Sequence, residues 1–441
     1  MADIRPFRGI RYCVEQSQNV KDLVAPPYDV IDGAMQQALY DAHPHNVVRI
    51  IQGKEEAGDS ESVHKYTRAA GYFQEWQESG VLQQDDVPGI YVYVQDFDAQ
   101  TSQGTVLKSR MGIVVLVKIE AFGEGSILPH EHTMPGPKAD RLALMQHTGG
   151  AFGQIFSLYS DPEFRVQALL DPHLQETPLF VFEDGDGVTH RFWRVTDEDT
   201  VQGIVDVLSD KPLFIADGHH RYETAVTYRD DRAKIEGVDP ADQPFGYGMQ
   251  TLVNMDDTEG MAINPIHRVV VDLGEGGIEQ LKSGLSEYFQ VETVPFSDSR
   301  KVMQILESRK DGPPVFAMVS GDASEVCYLT LRGDVDLVDP EGHSDAWRRL
   351  DTGLLQMVLG QVLNLDTETL IKGEKVQFVK VEKEVVNLLK AAPDRAGFFL
   401  NATGMDRLRA VVLNDERMPP KSTFFYPKVF SGLVMQDLNA F

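Results

Sequence analysis

The sequence predicts a mixed α/β (α+β) fold, and three observations carry that reading. Strand-like alternation and helical periodicity interleave along all 441 residues. No internal repeat or low-complexity tract interrupts them. Near residue 275 the texture changes and a second α/β unit begins. This predicts an N-terminal, catalytic-type region over 1–275 and a C-terminal region over 276–441 whose last segment returns to the site.

The elements follow in chain order. In VAPPYDVID, residues 24–32, Pro26 and Pro27 stiffen an extended approach and leave Tyr28 and Asp29 facing a neighbour. HPHNVVRI, 43–50, ends a helix-like stretch and supplies Asn46 and Arg49. Residues 63–82 read as a helix, with Tyr66, Ala70, Phe73 and Trp76 on one face and Gly80 at its end. Strands over 88–97 and 110–122 join through a polar turn, and the DGDG at 184–187 marks a hairpin over 181–195. Thr196 is placed to cap an acidic-started helix. PLFIADGHHRYETA, 212–225, then turns from strand to helix at Asp217-Gly218. Beyond 264 come a strand, a helix over 298–310, a hairpin over 314–332, a helix over 345–363, a strand over 395–403 and a short helix from Met405.

Composition narrows the function classes. Lys and Arg number 41 against 68 Asp and Glu, a net charge of −27, where a phosphate backbone would demand clustered cations. Nucleic acid and anionic membrane are therefore disfavoured as partners. A small anionic metabolite remains compatible if basic residues cluster locally. The two cysteines, Cys13 and Cys327, form neither a metal spacing nor a disulfide framework, which points to a reducing, cytoplasmic setting. No signal peptide or membrane span is expected.

Three blocks carry chemistry. At 217–223, Asp217, Gly218, His219, His220, Arg221 and Glu223 crowd a helix start, where backbone N–H groups and the helix dipole favour an anion. Asp217 would cap the helix, hold magnesium or accept a hydroxyl proton. At 127–149, His130, Glu131 and His132 precede a Pro/Gly loop, after which Lys138, Asp140 and Arg141 open a helix. At 417–434, Lys421, Ser422, Thr423, Tyr426 and Lys428 sit among prolines and aromatics, as in an ordered strap.

PFRGIRY, VAPPYDVI, HPHNVVRI, LPHEHT with PKADRL, ADGHHRYETA, NPIHRVV and MPPKSTFFYPK occur in this order from end to end. Together they resemble an uncharacterised bacterial and archaeal family, domain of unknown function 1015. IADGHHRYETA also resembles the strand–DGHHR–helix element of the ParB/sulfiredoxin fold, above all in the free serine kinases, which phosphorylate the hydroxyl of L-serine from a nucleotide. That likeness implies a ParB/sulfiredoxin-like phosphate-binding core carrying large insertions, followed by the C-terminal unit. It also implies that residues 217–221 face phosphates.

The expected function is a cytoplasmic phosphotransferase acting between a nucleotide and a small hydroxy or amino acid. A phosphoserine phosphatase-like hydrolase and a non-catalytic phosphometabolite-binding regulator stay open beside it. Asp217 or Glu131 is expected as base, with His130 and His220 in the catalytic set. Gly218, His219, Arg221, Lys138, Arg141, Lys421, Ser422, Thr423, Lys428, Tyr28 and Asp29 are expected to contact substrate or phosphate. With ATP or ADP as donor, magnesium is the fitting ion. No zinc is expected, because the H-E-H spacing fits no zinc template and Arg or Lys follows each histidine cluster.

Overall fold

In the computed structural model, residues 2–13, 19–101, 104–133, 135–333, 335, 337–339, 341–372 and 374–441 are described, excluding the side chains of 135–137, 367 and 371. Met134, in the expected Pro/Gly loop, lies outside them, as do residues 102 and 103 of the expected polar turn between the strands over 88–97 and 110–122.

The chain adopts the mixed α/β class. Among the described residues, a nine-stranded sheet runs in the order 127–128, 213–217, 155–159, 247–254, 104–118, 90–101, 189–195, 180–183, with 4–5 pairing beside 104–118. Two neighbour pairs are parallel, 213–217 with 127–128 and 155–159 with 247–254; the others are antiparallel. Helices cover one face. Ile204 and Leu208 of the helix Glu198–Leu208 and Tyr222 and Ala225 of the helix His219–Glu236 pack on Val115, Leu213 and Ile215. The other face meets the chain's last segment, with Phe425, Val429 and Leu433 buried against Tyr91, Phe156 and Phe214.

A six-stranded sheet forms the second layer system, ordered 289–295, 325–331, 315–320, 396–399, 267–270, 376–379. Its strand His267–Val270 precedes the expected boundary near 275, so the chain enters this sheet earlier than the texture change suggests. The strand Phe424–Tyr426 pairs with Ala262–Asn264 in a two-stranded sheet of its own, and Phe425 packs on the first sheet. That segment is tied down by burial and by this pairing, so it is a strap and not a frayed tail.

Three local readings need correction. The helix at 198 is capped by Asp197, not Thr196, because the Asp197 carboxylate accepts from Thr200 N–H. The helix expected over 345–363 is two, Asp345–Arg348 and Asp351–Leu363, broken where Leu350 turns extended. Asp217 does not cap its helix: Gly218 does, at φ 92°, leaving Asp217 as the last strand residue.

Candidate functional site

The site begins with an irregularity in the strand Leu213–Asp217. Its pairing with Ile155–Tyr159 slips between Ile215 and Asp217, and such a bulge re-aims the side chain that follows it. Gly218 then takes a left-handed turn that a side chain would strain, and a Cβ there would lie 3.0 Å from the Arg221 guanidinium. The helix starts at His219.

Asp217 is held between two cations. Lys428 Nζ lies 2.6 Å from Oδ1 and Arg221 Nη2 lies 2.7 Å from Oδ2. Arg221 also donates through Nη1 to Gln154 O. Burial alone would raise the Asp217 carboxyl, but Lys428 and then Arg221 outweigh it and hold it far below the carboxylate range. Both oxygens are engaged and the group stays ionised, so Asp217 is unsuited to the base role expected of it. The trio carries a net single positive charge.

The two histidine clusters meet. His130 Nδ1 lies 2.6 Å from Ile215 O, so this nitrogen carries the hydrogen; Nε2, 3.0 Å from Thr423 Oγ1, accepts. The backbone N–H of His130 donates to His219 Nε2 at 3.2 Å, and its carbonyl accepts from Met418 N–H. The rings of His130 and His219 meet edge-on at 4.6 Å. Both are buried, which holds them neutral. They stitch the 127–133 loop, the site strand and the strap together, a structural duty in place of the expected catalytic and phosphate-contact roles. With these ring nitrogens committed, neither histidine presents a free lone pair to a metal. Among the described residues no group of three or more His, Cys, Asp or Glu converges as a metal site.

The strap adds its own cations. Lys421 takes φ 59° and its N–H donates to Glu131 Oε1 at 2.8 Å. Ser422 points inward, its hydroxyl bonded to Pro419 O (2.6 Å) and Thr352 Oγ1 (2.9 Å), so it packs instead of facing a ligand. His220 is half-buried; burial first and Lys421 second lower its pKa, against Glu131 and Asp29. Tyr28 sits between the Arg141 guanidinium, 4.1 Å over its ring, and the field of Arg221. Lys138 is paired to Glu223 at 2.7 Å and Arg141 to Asp140, so both cations are already partly spent within the protein. Among the described residues, the Asp29 carboxylate makes no hydrogen bond or ion pair, and it is exposed. Asn46 and Arg49 lie elsewhere: the Asn46 amide holds Asp22 O and Val24 O, and Arg49 lies on Tyr40.

Three cations of this neighbourhood escaped the motif reading. The ammonium groups of Lys380 and Lys428 lie 4.9 and 4.7 Å from the Phe424 ring centre. Burial lowers the Lys380 pKa, and Lys428 lowers it further, while Asp29 and Asp217 oppose. Arg110, 2% exposed, donates to Gln95 Oε1 and to the Pro427 carbonyl, both at 2.5 Å. Buried Arg268 donates to Lys421 O at 3.0 Å and Ile266 O at 2.8 Å. Arg268 and Arg110 thus grip the strap near the two ends of Lys421–Lys428. Arg268 stands inside NPIHRVV, where no role is expected of it; no motif marks Lys380 or Arg110, and a charged residue beside an apolar strand run is a signal that could have found both arginines.

The buried histidines predict an acid sensitivity. His130, His219, His190 and His267 all lie below the ordinary histidine pKa chiefly through burial, His267 at about 3. Folded-state values depressed in this way leave stability intact above about pH 6.5 and erode it as pH falls, because the unfolded chain takes up the protons. Each histidine contributes ~1.4 kcal/mol per pH unit of slope in that window. Carboxylates held low, such as Asp140 at about 2, act only below about pH 4. The urea midpoint is therefore expected to drop clearly between pH 7.5 and 5.5; an unchanged midpoint would sink this reading.

Fold and site together define a mixed α/β protein with a cation-rich cluster at a strand-to-helix junction. The family model described as Protein of unknown function (DUF1015) matches residues 4–353, and the chain belongs to that family. The strap lies beyond the matched span. No curated protein matches the sequence. Among solved structures, the chain is similar to free serine kinase in complex with AMP, at 13% identity and a TM-score of 0.33, covering 69% of this chain and 88% of that one. It is similar to a conserved hypothetical protein from Pyrococcus furiosus at 13% identity and 0.33, with 69% and 89% covered. SbnI with a C-terminal truncation, from Staphylococcus aureus, gives 12% and 0.34, with 74% and 86% covered. Among the described residues no helix is long and apolar enough to cross a membrane.

Proposed function

We propose that this protein is a cytoplasmic phosphotransferase of the free serine kinase type, moving a phosphoryl group between a nucleotide and a small hydroxy or amino acid such as L-serine. The observation that carries the reading is the Lys428–Asp217–Arg221 trio at a glycine-started helix, with Lys421, Lys380 and His220 around it. Phosphoryl transfer asks a protein mainly to position and to neutralise charge. Arg221 offers a fork suited to phosphate oxygens, and the lysines offer point charges. Asp217 orders the two cations. The hydroxyl proton then needs another carboxylate, and we assign it to Asp29, which is exposed and makes no hydrogen bond or ion pair among the described residues. Glu131 positions the strap through Lys421. If magnesium is used, Asp29 and Glu131 are the carboxylates that would hold it, and it would supply positive charge against the donor phosphates.

Incubation with L-serine or phosphoserine and a panel of ATP, ADP and CTP, followed by 31P NMR, tests this. Phosphoserine formed from a nucleotide, or its reverse, is expected. Free phosphate released from phosphoserine without nucleotide would favour a hydrolase, and no phosphorus movement despite nucleotide binding would favour a regulator. Lys421→Met is expected to lower turnover at least tenfold with an unchanged melting temperature, since the Lys421 ammonium makes no ion pair among the described residues. Full activity in the folded variant removes the strap from the mechanism.

A further inference from the structure

The second sheet lends the site a cation that nothing in the protein uses. Lys380 follows the strand Val376–Val379, which closes one edge of the six-stranded sheet. Its ammonium lies 4.9 Å from the centre of the Phe424 ring, and the Lys428 ammonium lies 4.7 Å from the same centre. One ring of the strap thus joins a charge of the second sheet to the trio around Asp217. Among the described residues the Lys380 ammonium makes no hydrogen bond or ion pair. Lys428, by contrast, is paired to Asp217, Lys138 to Glu223 and Arg141 to Asp140. Lys380 is exposed, yet desolvation is the first cause lowering its pKa, so the ammonium stands in a recess and not on open surface. The charges of Lys428, Asp29, Lys421 and Asp217 all act on it there.

We propose that Lys380 is a specificity-determining residue that binds the carboxylate of the phosphoryl acceptor, so that one small molecule spans the two sheets with its phosphorylated oxygen toward Arg221 and Lys428. The inference rests on the phosphotransferase reading and narrows its acceptor to hydroxy acids, amino acids included, over amino alcohols. The charges favour that division. The trio keeps one net positive charge and, with Lys421 close to His220 at the helix start, answers a phosphoryl group. A second anionic group needs a cation of its own, and Lys380 is uncommitted. It also stands on a different element, so its separation from the helix start is fixed by the packing of strap and sheet. A lysine meets a carboxylate as a point charge and asks for no bidentate geometry. Lys380 and Lys428 repel one another across Phe424, and a carboxylate placed at Lys380 would offset that repulsion.

Calorimetric titration of the full chain with O-phosphoserine and, separately, with phosphoethanolamine tests the assignment. The two ligands share the phosphate and the amine and differ by the carboxylate. The unmodified protein should bind phosphoserine about tenfold or more tightly than phosphoethanolamine. Lys380→Met should erase that margin with an unchanged melting temperature, because the ammonium it removes holds no partner among the described residues. Lys380→Arg should keep most of the margin. Lys421→Met removes an equal charge from the same neighbourhood and should weaken both ligands while the margin stands. Equal affinities in the unmodified protein, a margin that survives Lys380→Met, or one lost equally in Lys421→Met overturn the assignment, and phosphate-ester binding in those cases leaves the phosphotransferase reading in place. Binding of neither ligand overturns both.

Discussion

Arg221→Ala is expected to weaken pyrophosphate binding about 10- to 150-fold, equivalent to roughly 1.5–3 kcal/mol for a lost charge-assisted contact. The trio would fall from one net positive charge to none, because Lys428 alone would remain against Asp217. The fold would not be indifferent to the change. Arg221 also donates to Gln154 O and partners a mostly buried carboxylate, so a stability loss of about 1–3 kcal/mol should accompany the binding loss. Arg221→Lys keeps the charge and loses the fork, and should recover part of the affinity. Unchanged pyrophosphate affinity in folded Arg221→Ala would remove this helix start from the anion site.

What the sequence disclosed about the site was its chemistry more than its wiring. Asp217, His219, His220 and Arg221 were visible because four polar residues at a strand-to-helix turn defy the surrounding apolar pattern. The same density concealed a division of labour. His219 and His220 are neighbours in sequence, yet the helix sends one into the core against His130 and leaves the other half-buried beside Lys421. Periodicity could have separated them only with the helix start known to one residue, and that start depended on Gly218, not Asp217, being the cap. Lys428 was visible as a strap lysine, but its partner lies 211 residues earlier, a distance no local pattern spans. Lys380 had no motif at all, since it closes a strand of the second sheet and reaches the site only through the packing of the strap. The same holds for the strand Tyr247–Asn254. It is buried throughout, so its run YGMQTLVN shows no alternation to read.

Asp217→Asn is expected to destabilise the protein and to tighten its grip on a bare anion. The carboxylate is 2.6 Å from Lys428 Nζ and 2.7 Å from Arg221 Nη2, with 18% of its side chain exposed. Removing it leaves two cations facing each other without a counter-charge. Breaking a buried pair in this way costs about 3–5 kcal/mol, and the partial exposure here argues for the lower end. The same change raises the local charge from +1 to +2, which a phosphate would then satisfy. Pyrophosphate should bind the variant more tightly than it binds the original protein. By linkage it should also raise the variant's melting temperature by more at equal ligand concentration. A general base at this position makes the opposite forecast: Asn, nearly isosteric, would spare both stability and binding and abolish turnover alone. Thermal melts with and without pyrophosphate therefore separate the two roles without any assay of catalysis. A variant as stable as the original, with unaltered response to pyrophosphate, would return Asp217 to the candidates for base and displace Asp29.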